Sequence, residues 1–334
     1  MALATVARAL GRGSFWSVCF LLLALPLGSQ DQQSSVPPAA GSIKSTSAVV
    51  NVYAIVHDRH GHLVPNLDKT DFELRENGAP QQIGYFSRET SVPLSVGVLI
   101  DTSPSQGRLL AEEQDSAKLF LRSILQAADQ GFVIHFDVDV ELLQDFTNAP
   151  DLLMHAVDEM RINETGQSIL PASQATSHPG ATRLYDAVYL ASNELMKTRY
   201  GRKVLVLVTD GEDQGSRIDW RGSLEAAEKA DVIVYSIAIR DPDFYLLTGL
   251  PYHGSARMEK LSLETGGRTI RVESGRSIGG AFEQVSAELR AEYLLAYSPA
   301  DSNRGGPFRT IQLRVPGHKY SVRTRHGYYA RANP

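Results

Sequence analysis

The chain has 334 residues, 43% of them hydrophobic and 21% charged, with a formal net charge of -5. That is globular composition with room for about two domains. Basic and acidic residues number 33 and 38, and no Lys/Arg-rich block offers phosphate backbones a place to condense, so nucleic acid is excluded as a partner class. The only cysteine is Cys19, which rules out an intramolecular disulfide and a thiolate metal site.

In chain order, the first feature is an apolar run from Phe15 to Leu27, preceded by Arg8 and Arg12 and closed by Leu27-Gly28-Ser29. Basic flank, short uncharged core and small residues describe an export signal over residues 1–29. A membrane anchor needs roughly 18 to 20 apolar residues, more than this run supplies. Membrane contact is therefore expected only through an uncleaved signal segment. The protein is expected to be exported, to a periplasm or the outside. Residues 30–48, rich in Ser, Pro, Gln and Ala, read as a tether.

From residue 49 the chain alternates. Val50, Val52, Ala54 and Val56 face one way, and Asn51, Tyr53, Ile55 and His57 the other, which is the period of a half-buried strand. Phe72 and Leu74 alternate with Glu73 and Arg75, and Asn77-Gly78 then predicts a hairpin turn before Ile83, Tyr85 and Phe86. The three histidines His57, His60 and His62 surround a turn at Asp58-Arg59-His60-Gly61. They lack the carboxylate cage of a metal cluster.

Continuous apolar runs follow at Leu94 to Ile100, Phe132 to Phe136, Val204 to Val208 and Val232 to Ile239. Such runs suit strands covered on both faces of a parallel sheet. Segments between them carry helical spacing: Leu110, Ala117, Phe120, Leu121 and Ile124; Leu184, Val188, Ala191 and Leu195; Ile278, Phe282, Val285 and Leu289. Strand and helix alternate, so residues 92–292 are expected to form a doubly wound α/β domain. His135, inside one apolar run, reads as a core histidine with its nitrogens satisfied. Ile311, Leu313 and Val315, a Pro316-Gly317-His318 turn, and Tyr320, Val322 and Thr324 predict a closing hairpin. Neither flank, 49–91 or 293–334, is long enough to fold alone, so the two are expected to pair into one small β-sandwich around the inserted domain.

In an open α/β sheet the binding crevice lies beyond the carboxyl ends of the strands. Two apolar strands end there in a carboxylate, at Asp101 and Asp210. The first continues Asp101-Thr102-Ser103-Pro104-Ser105, whose carboxylate and alternate hydroxyls can converge. The second continues Gly211-Glu212-Asp213. Between them Thr182 opens a helix; taken alone it reads as an N-cap. All these ligand atoms are oxygens, a donor set for Mg²⁺, Mn²⁺ or Ca²⁺ and not for zinc.

D-x-S-x-S after a buried strand, a lone Thr before a helix and T-D-G after a later strand together resemble the metal-ion-dependent adhesion site of von Willebrand factor type A (VWFA) domains. The resemblance covers roughly residues 92–292. It implies metal contact by Ser103, Ser105 and Thr182, with Asp101 and Asp210 acting partly through water. The flanking segments Val50 to Asp58, Leu67 to Gly78 and Arg323 to Ala330 are similar to the VWFA-related exported bacterial family of the acidobacterial type. The implied function is a non-enzymatic adhesion module that binds an Asp or Glu carboxylate of a partner protein through the metal. The resemblance also implies coupling between ligand capture and movement of the last helix, about Ile278 to Arg290.

Two other readings come from the residues. One is an envelope scaffold whose metal only stabilises loops. The other is a serine hydrolase, because Gly275-Arg276-Ser277-Ile278-Gly279 matches G-x-S-x-G, with Asp301, His318 and His326 downstream. Hairpin-like sequence is all that follows, which leaves no sheet to carry an acid and a histidine, and Ser277 reads equally as an N-cap. Asn163-Glu164-Thr165 fits a glycosylation acceptor.

Overall fold

The computed structural model describes residues 49–88, 92–163, 182–272, 277–299, 308–317 and 319–330. The signal segment, the tether, Cys19, Glu164-Thr165, Gly275-Arg276, Asp301 and His318 lie outside the described residues.

The chain opens with β1 (Val50–His57), β2 (Glu73–Glu76), β3 (Ala79–Gln81) and β4 (Tyr85–Ser87). There follow β5 (Leu94–Asp101), α1 (Leu110–Ile124), β6 (Gln130–Phe136), β7 (Val140–Thr147), α2 (Pro150–Glu159) and α3 (Leu184–Leu190). Next come β8 (Arg202–Thr209), α4 (Trp220–Lys229), β9 (Val232–Ile239), α5 (Pro242–Thr248), α6 (Ala256–Glu264), β10 (Thr269–Val272) and α7 (Ile278–Arg290). The chain closes with β11 (Tyr293–Tyr297), β12 (Phe308–Arg314), β13 (Ser321–Arg323) and β14 (Gly327–Tyr329).

The central sheet runs β10-β9-β8-β5-β6-β7, parallel except for β7, which pairs antiparallel with β6 at one edge. Every residue of β5 and β8 is buried, as their unbroken apolar runs require of strands with helices on both faces. One layer of core joins β5, β8 and β9 to α1, α2 and α7; the other joins them to α3, α4 and α6. The sequence pattern did not show β7. Its residues are only partly buried or exposed, because an edge strand covers one neighbour and needs no continuous apolar run.

The flanks form the expected β-sandwich of two four-stranded sheets, ordered β13-β1-β11-β4 and β14-β12-β2-β3. Two expected hairpins are corrected. Asn77-Gly78 does turn the chain, both residues at positive φ, but the returning strand is β3, whereas Tyr85–Ser87 crosses to pair with β11. Likewise β12 pairs with β2 and β14, while β13 pairs with β1, so the chain around Pro316-Gly317 passes from one sheet to the other. Alternation identifies a strand's two faces and not its partner; β1, β2, β4, β11, β12, β13 and β14 each turn an apolar side chain into the sandwich core.

A polar knot crosses that core. Glu76 on β2, 4% exposed, pairs with Arg309 on β12 at 2.9 Å. It also accepts from Tyr297 on β11 at 2.5 Å and from Tyr328 on β14 at 2.8 Å. Sandwich and α/β body are tied by a second buried acid, Glu288 on α7. It meets Arg268 at 2.6 Å, His57 on β1 at 3.7 Å, and Arg323 on β13.

Removing one partner of a buried ion pair leaves the other charge uncompensated. Glu76→Ala is therefore expected to cost ~3–5 kcal/mol in urea unfolding, more than Glu76→Leu combined with Arg309→Leu. Truncation after Ala291 removes the strands that pair with β1 and β2 on the far side of the insert. Amide exchange across Val50–Glu76 should then accelerate towards the unfolded rate, and unchanged protection there would contradict the pairing.

Candidate functional site

β5 and β8 are adjacent and parallel, with Ile100 opposite Val208. Each therefore delivers its terminal polar residues to the same place at the carboxyl edge of the sheet. Asp101 closes β5 with no exposed surface, and Asp210 follows β8 at 2%. Thr209 donates to Asp101 Oδ2 at 2.6 Å, and Asp101 Oδ1 accepts from the backbone N–H of Ser103 at 2.9 Å. Ser103 and Ser105 lie on a 3₁₀ turn that Pro104 initiates, and their hydroxyls are 3.1 Å apart. The Ser105 hydroxyl is also close enough to Asp210 to draw its carboxyl pKa down. Three of the five residues singled out in the sequence, Asp101, Ser103 and Ser105, are thus linked by direct hydrogen bonds, with Asp210 beside them.

Thr182 joins them through its backbone. Its carbonyl accepts from Gln214 and Gly215, at 3.0 and 3.2 Å, in the loop that follows Asp210. The next residue, Arg183, donates its backbone N–H to the Asp137 carbonyl at 2.9 Å. Thr182 is 4% exposed, and the N-cap of α3 is Arg183 with no side-chain cap, so Thr182 does not serve as the cap.

The turn after Asp210 depends on a glycine. Gly211 has φ +86, and a Cβ there would stand 2.8 Å from the Cβ of Ser255. Both the positive φ and the close approach exclude other residues.

Several supporting residues carry no sequence signal. Tyr245 on α5 donates to Asp210 Oδ2 at 2.6 Å, and the backbone N–H of Glu212 donates to Oδ1 at 3.0 Å. Gln106, fully buried, donates to Glu113 Oε1 at 3.0 Å and accepts from Asp210 N at 3.2 Å, with its amide oriented to satisfy both. Glu113 on α1 is fully buried, and its Oε2 has no partner among the described residues. On the other side, Thr102 donates to Asp137 at 3.1 Å and meets His135 Nδ1 at 3.0 Å, while His135 Nε2 meets Glu141 at 3.2 Å. His135 is thus a satisfied histidine that props the loop beside the site. Periodicity reads Glu113 only as a polar residue of α1; its role is set by contacts that span the sheet.

Neither Asp101 nor Asp210 makes an ion pair among the described residues. Burial, then the neighbouring Asp210 charge, pushes the Asp101 carboxyl up to about 7. Asp210 is also raised, chiefly by burial, against the pull of Tyr245, the Glu212 N–H and Ser105. Glu113 is raised well above its ordinary range by burial and by both aspartates. Uncompensated negative charge is concentrated in a dry volume lined with hydroxyls. That fits a hard cation by charge and donor type. Among the described residues no three His, Cys, Asp or Glu side chains cluster as a metal cage.

A family model for the von Willebrand factor type A domain matches residues 96–284. The chain belongs to that family. No curated protein matches it. Among solved structures, the type A chain is similar to the conserved hypothetical protein BatB from Bacteroides thetaiotaomicron, at 15% identity over 59% of this chain and 97% of that one, with a TM-score of 0.42. It is similar to proximal thread matrix protein 1 of the mussel byssus, solved with zinc in its MIDAS motif, at 14% identity over 64% and 50%, TM-score 0.48. It is also similar to the vWF domain of the type V pili tip protein Mfa5 from Porphyromonas gingivalis, at 12% identity over 60% and 96%, TM-score 0.44.

The alternative centre at Ser277 has a different role. Its hydroxyl accepts from the backbone N–H of Gly280 at 3.1 Å and caps α7, and no histidine contacts it among the described residues. His60 and His62 sit on the expected turn, their backbone N–H groups donating to Asp58 at 2.8 and 2.9 Å.

A raised carboxyl pKa has a definite sign. In the metal-free protein, Asp101 keeps its proton up to about pH 7, whereas the unfolded chain loses it near the ordinary carboxyl value. The folded state then binds more protons across that window, so stability falls as pH rises through it, and Glu113 adds the same sign. Melting in EDTA should drop between about pH 4 and 7. Asp101→Asn should flatten part of that slope and gain ~1–3 kcal/mol above pH 7, where the wild type carries the buried charge.

Proposed function

We propose that the chain is an exported, non-enzymatic binding module. In this reading Asp101, Ser103, Ser105, Thr182 and Asp210 hold one Mg²⁺ or Mn²⁺ ion, with Ca²⁺ as the remaining hard-cation choice, and the site takes an Asp or Glu carboxylate of a partner protein. The observation that carries it is the pair of buried carboxylates without an ion-pair partner among the described residues, set beside a hydrogen-bonded serine pair at the carboxyl edge of a type A sheet. The binding domain is taken as residues 92–292, between the β segments 49–91 and 293–334, with 1–29 as the export signal and 30–48 as a linker. Among the described residues no helix is long and apolar enough to cross a membrane.

The chain's own residues prepare the chemistry. Thr209 and the Ser103 N–H hold the Asp101 carboxylate, and Tyr245 and the Glu212 N–H hold that of Asp210. Each acid keeps its orientation through a neutral donor, so its charge stays available. When bound, a divalent cation held largely by neutral hydroxyls supplies a net positive charge that a partner carboxylate can neutralise.

Calorimetric titration with MgCl₂ and with MnCl₂ should show one site in the wild type and none in Asp101→Ala. Identical binding in both would refute the assignment. Metal must displace the proton that the raised carboxyl retains, so affinity should weaken as pH falls below about 7.

A further inference from the structure

α5 and the loop after it lie beside this site and carry a surface that the fold does not use. Leu246, Leu247 and Leu250 are 81%, 75% and 49% exposed. Single exposed leucines are common on protein surfaces; three within five residues at the edge of a binding site form a patch. The segment is fastened to the site from α5 and from the loop beyond Leu250, where the Tyr252 hydroxyl donates to the Asp210 carbonyl at 3.1 Å. Tyr245 is buried and donates to Asp210, and Asp241 caps α5 through the backbone N–H groups of Asp243 and Phe244. Arg108, on the turn that carries Ser105, pairs with Asp243 at 2.7 Å and reaches Asp241 at 3.9 Å. Helix α5 ends at Gly249 in the left-handed region, which leaves Leu250 on the surface.

Charge adds a direction. Arg240 is exposed and makes no ion pair among the described residues. Its guanidinium lies 5.3 Å from the ring centre of Tyr245 and 4.4 Å from that of Tyr252, so it bridges the start of α5 and the loop beyond Leu250. The acids nearest in sequence, Asp241 and Asp243, are already engaged by Arg108. An apolar strip beside an unpaired cation complements a ligand that is anionic and apolar together.

We propose that Leu246, Leu247, Leu250 and Arg240 form the second half of the docking surface, and that they select an acidic-apolar segment of a partner protein: an Asp or Glu flanked by large aliphatic or aromatic side chains. This rests on the metal-site reading above and names which carboxylates the site accepts. The metal-held carboxylate fixes the position of the segment, and the leucines bury its neighbouring side chains.

The test is fluorescence anisotropy with three short labelled peptides, in saturating Mg²⁺ and in EDTA. One carries a glutamate between leucines, the second that glutamate between serines, and the third a glutamine between leucines. The proteins are the wild type, Leu246→Ser combined with Leu247→Ser, Arg240→Ala, and Ser103→Ala. The leucine-flanked glutamate should bind at least about tenfold tighter than the serine-flanked one. The leucine double variant should erase that difference while Mg²⁺ binding by calorimetry stays intact, and Arg240→Ala should weaken both glutamate peptides. Equal affinity for the two glutamate peptides, or no binding by any peptide, overturns the selectivity and leaves the metal site standing if calorimetry still shows Mg²⁺. Absence of Mg²⁺ binding overturns the metal-site reading itself and the proposal with it. Binding of the leucine peptides that survives EDTA, Ser103→Ala and the glutamine change overturns the joint surface. So does wild-type binding to phosphatidylglycerol vesicles in EDTA that the leucine variant loses, which would assign the patch to a lipid surface.

Discussion

Two carboxylates are forced together without a counter-charge, and the arrangement of the sheet edge follows from that. Parallel register between β5 and β8 brings Asp101 and Asp210 out of neighbouring strands at one height, beneath loops that exclude water. Two like charges in such a place cost energy whichever way each is oriented. The protein meets this with neutral donors: Thr209, Tyr245, Ser105 and backbone N–H groups. An arginine or lysine would relieve the strain more completely and would also cancel the negative charge concentrated there. The edge is therefore less stable when empty of positive charge than a purely structural edge need be, as expected where function and stability compete.

Away from that edge, three buried acids are paired with arginines. Glu76 has Arg309, Glu292 has Arg202 at 3.1 Å, and Glu288 has arginines from two elements. Glu288 also defines what a movement of α7 involves. The helix is held near its C-terminal end by contacts to β13 and to the segment before β10, and at its first residue by Glu112, which accepts from the Ile278 N–H at 3.1 Å. Any shift of α7 along its axis has to exchange these contacts for others of similar strength. The coupling that the family resemblance suggests thus has specific bonds to break in this chain.

The central strands and the placement of the five polar residues were legible in the sequence because both depend on local pattern. Unbroken apolar runs mark doubly covered strands, and a strand that ends in Asp marks the carboxyl edge. What escaped depends on distance along the chain. Tyr245 looks like one more aromatic of an apolar helix until α5 is laid beside Asp210, and Gln106 looks like a loop residue until α1 brings Glu113 to it. The flanks show the same division. Alternation located their strands and Asn77-Gly78 located a turn, yet the two expected hairpins were divided between sheets. Partner choice is set by which apolar face the sandwich needs, and no local window contains that information. Tyr53 and Ile55 illustrate it further: on the face of β1 opposite Val50 and Val52, Tyr53 packs against the core of the α/β body and Ile55 is almost completely buried.

The sandwich built from both ends of the described chain sets an order of events during synthesis. β1 is made before the α/β body, but its partner β11 is encoded roughly 240 residues later, so this strand waits unpaired until the body between them has been made. The α/β body can condense in the meantime, because its sheet and helices are contiguous in the chain. The flank closes last, as a clasp. Until β11 follows, the apolar face of β1 has no partner to cover it, so the spacing of these two strands along the chain makes the sandwich wait for the body it encloses.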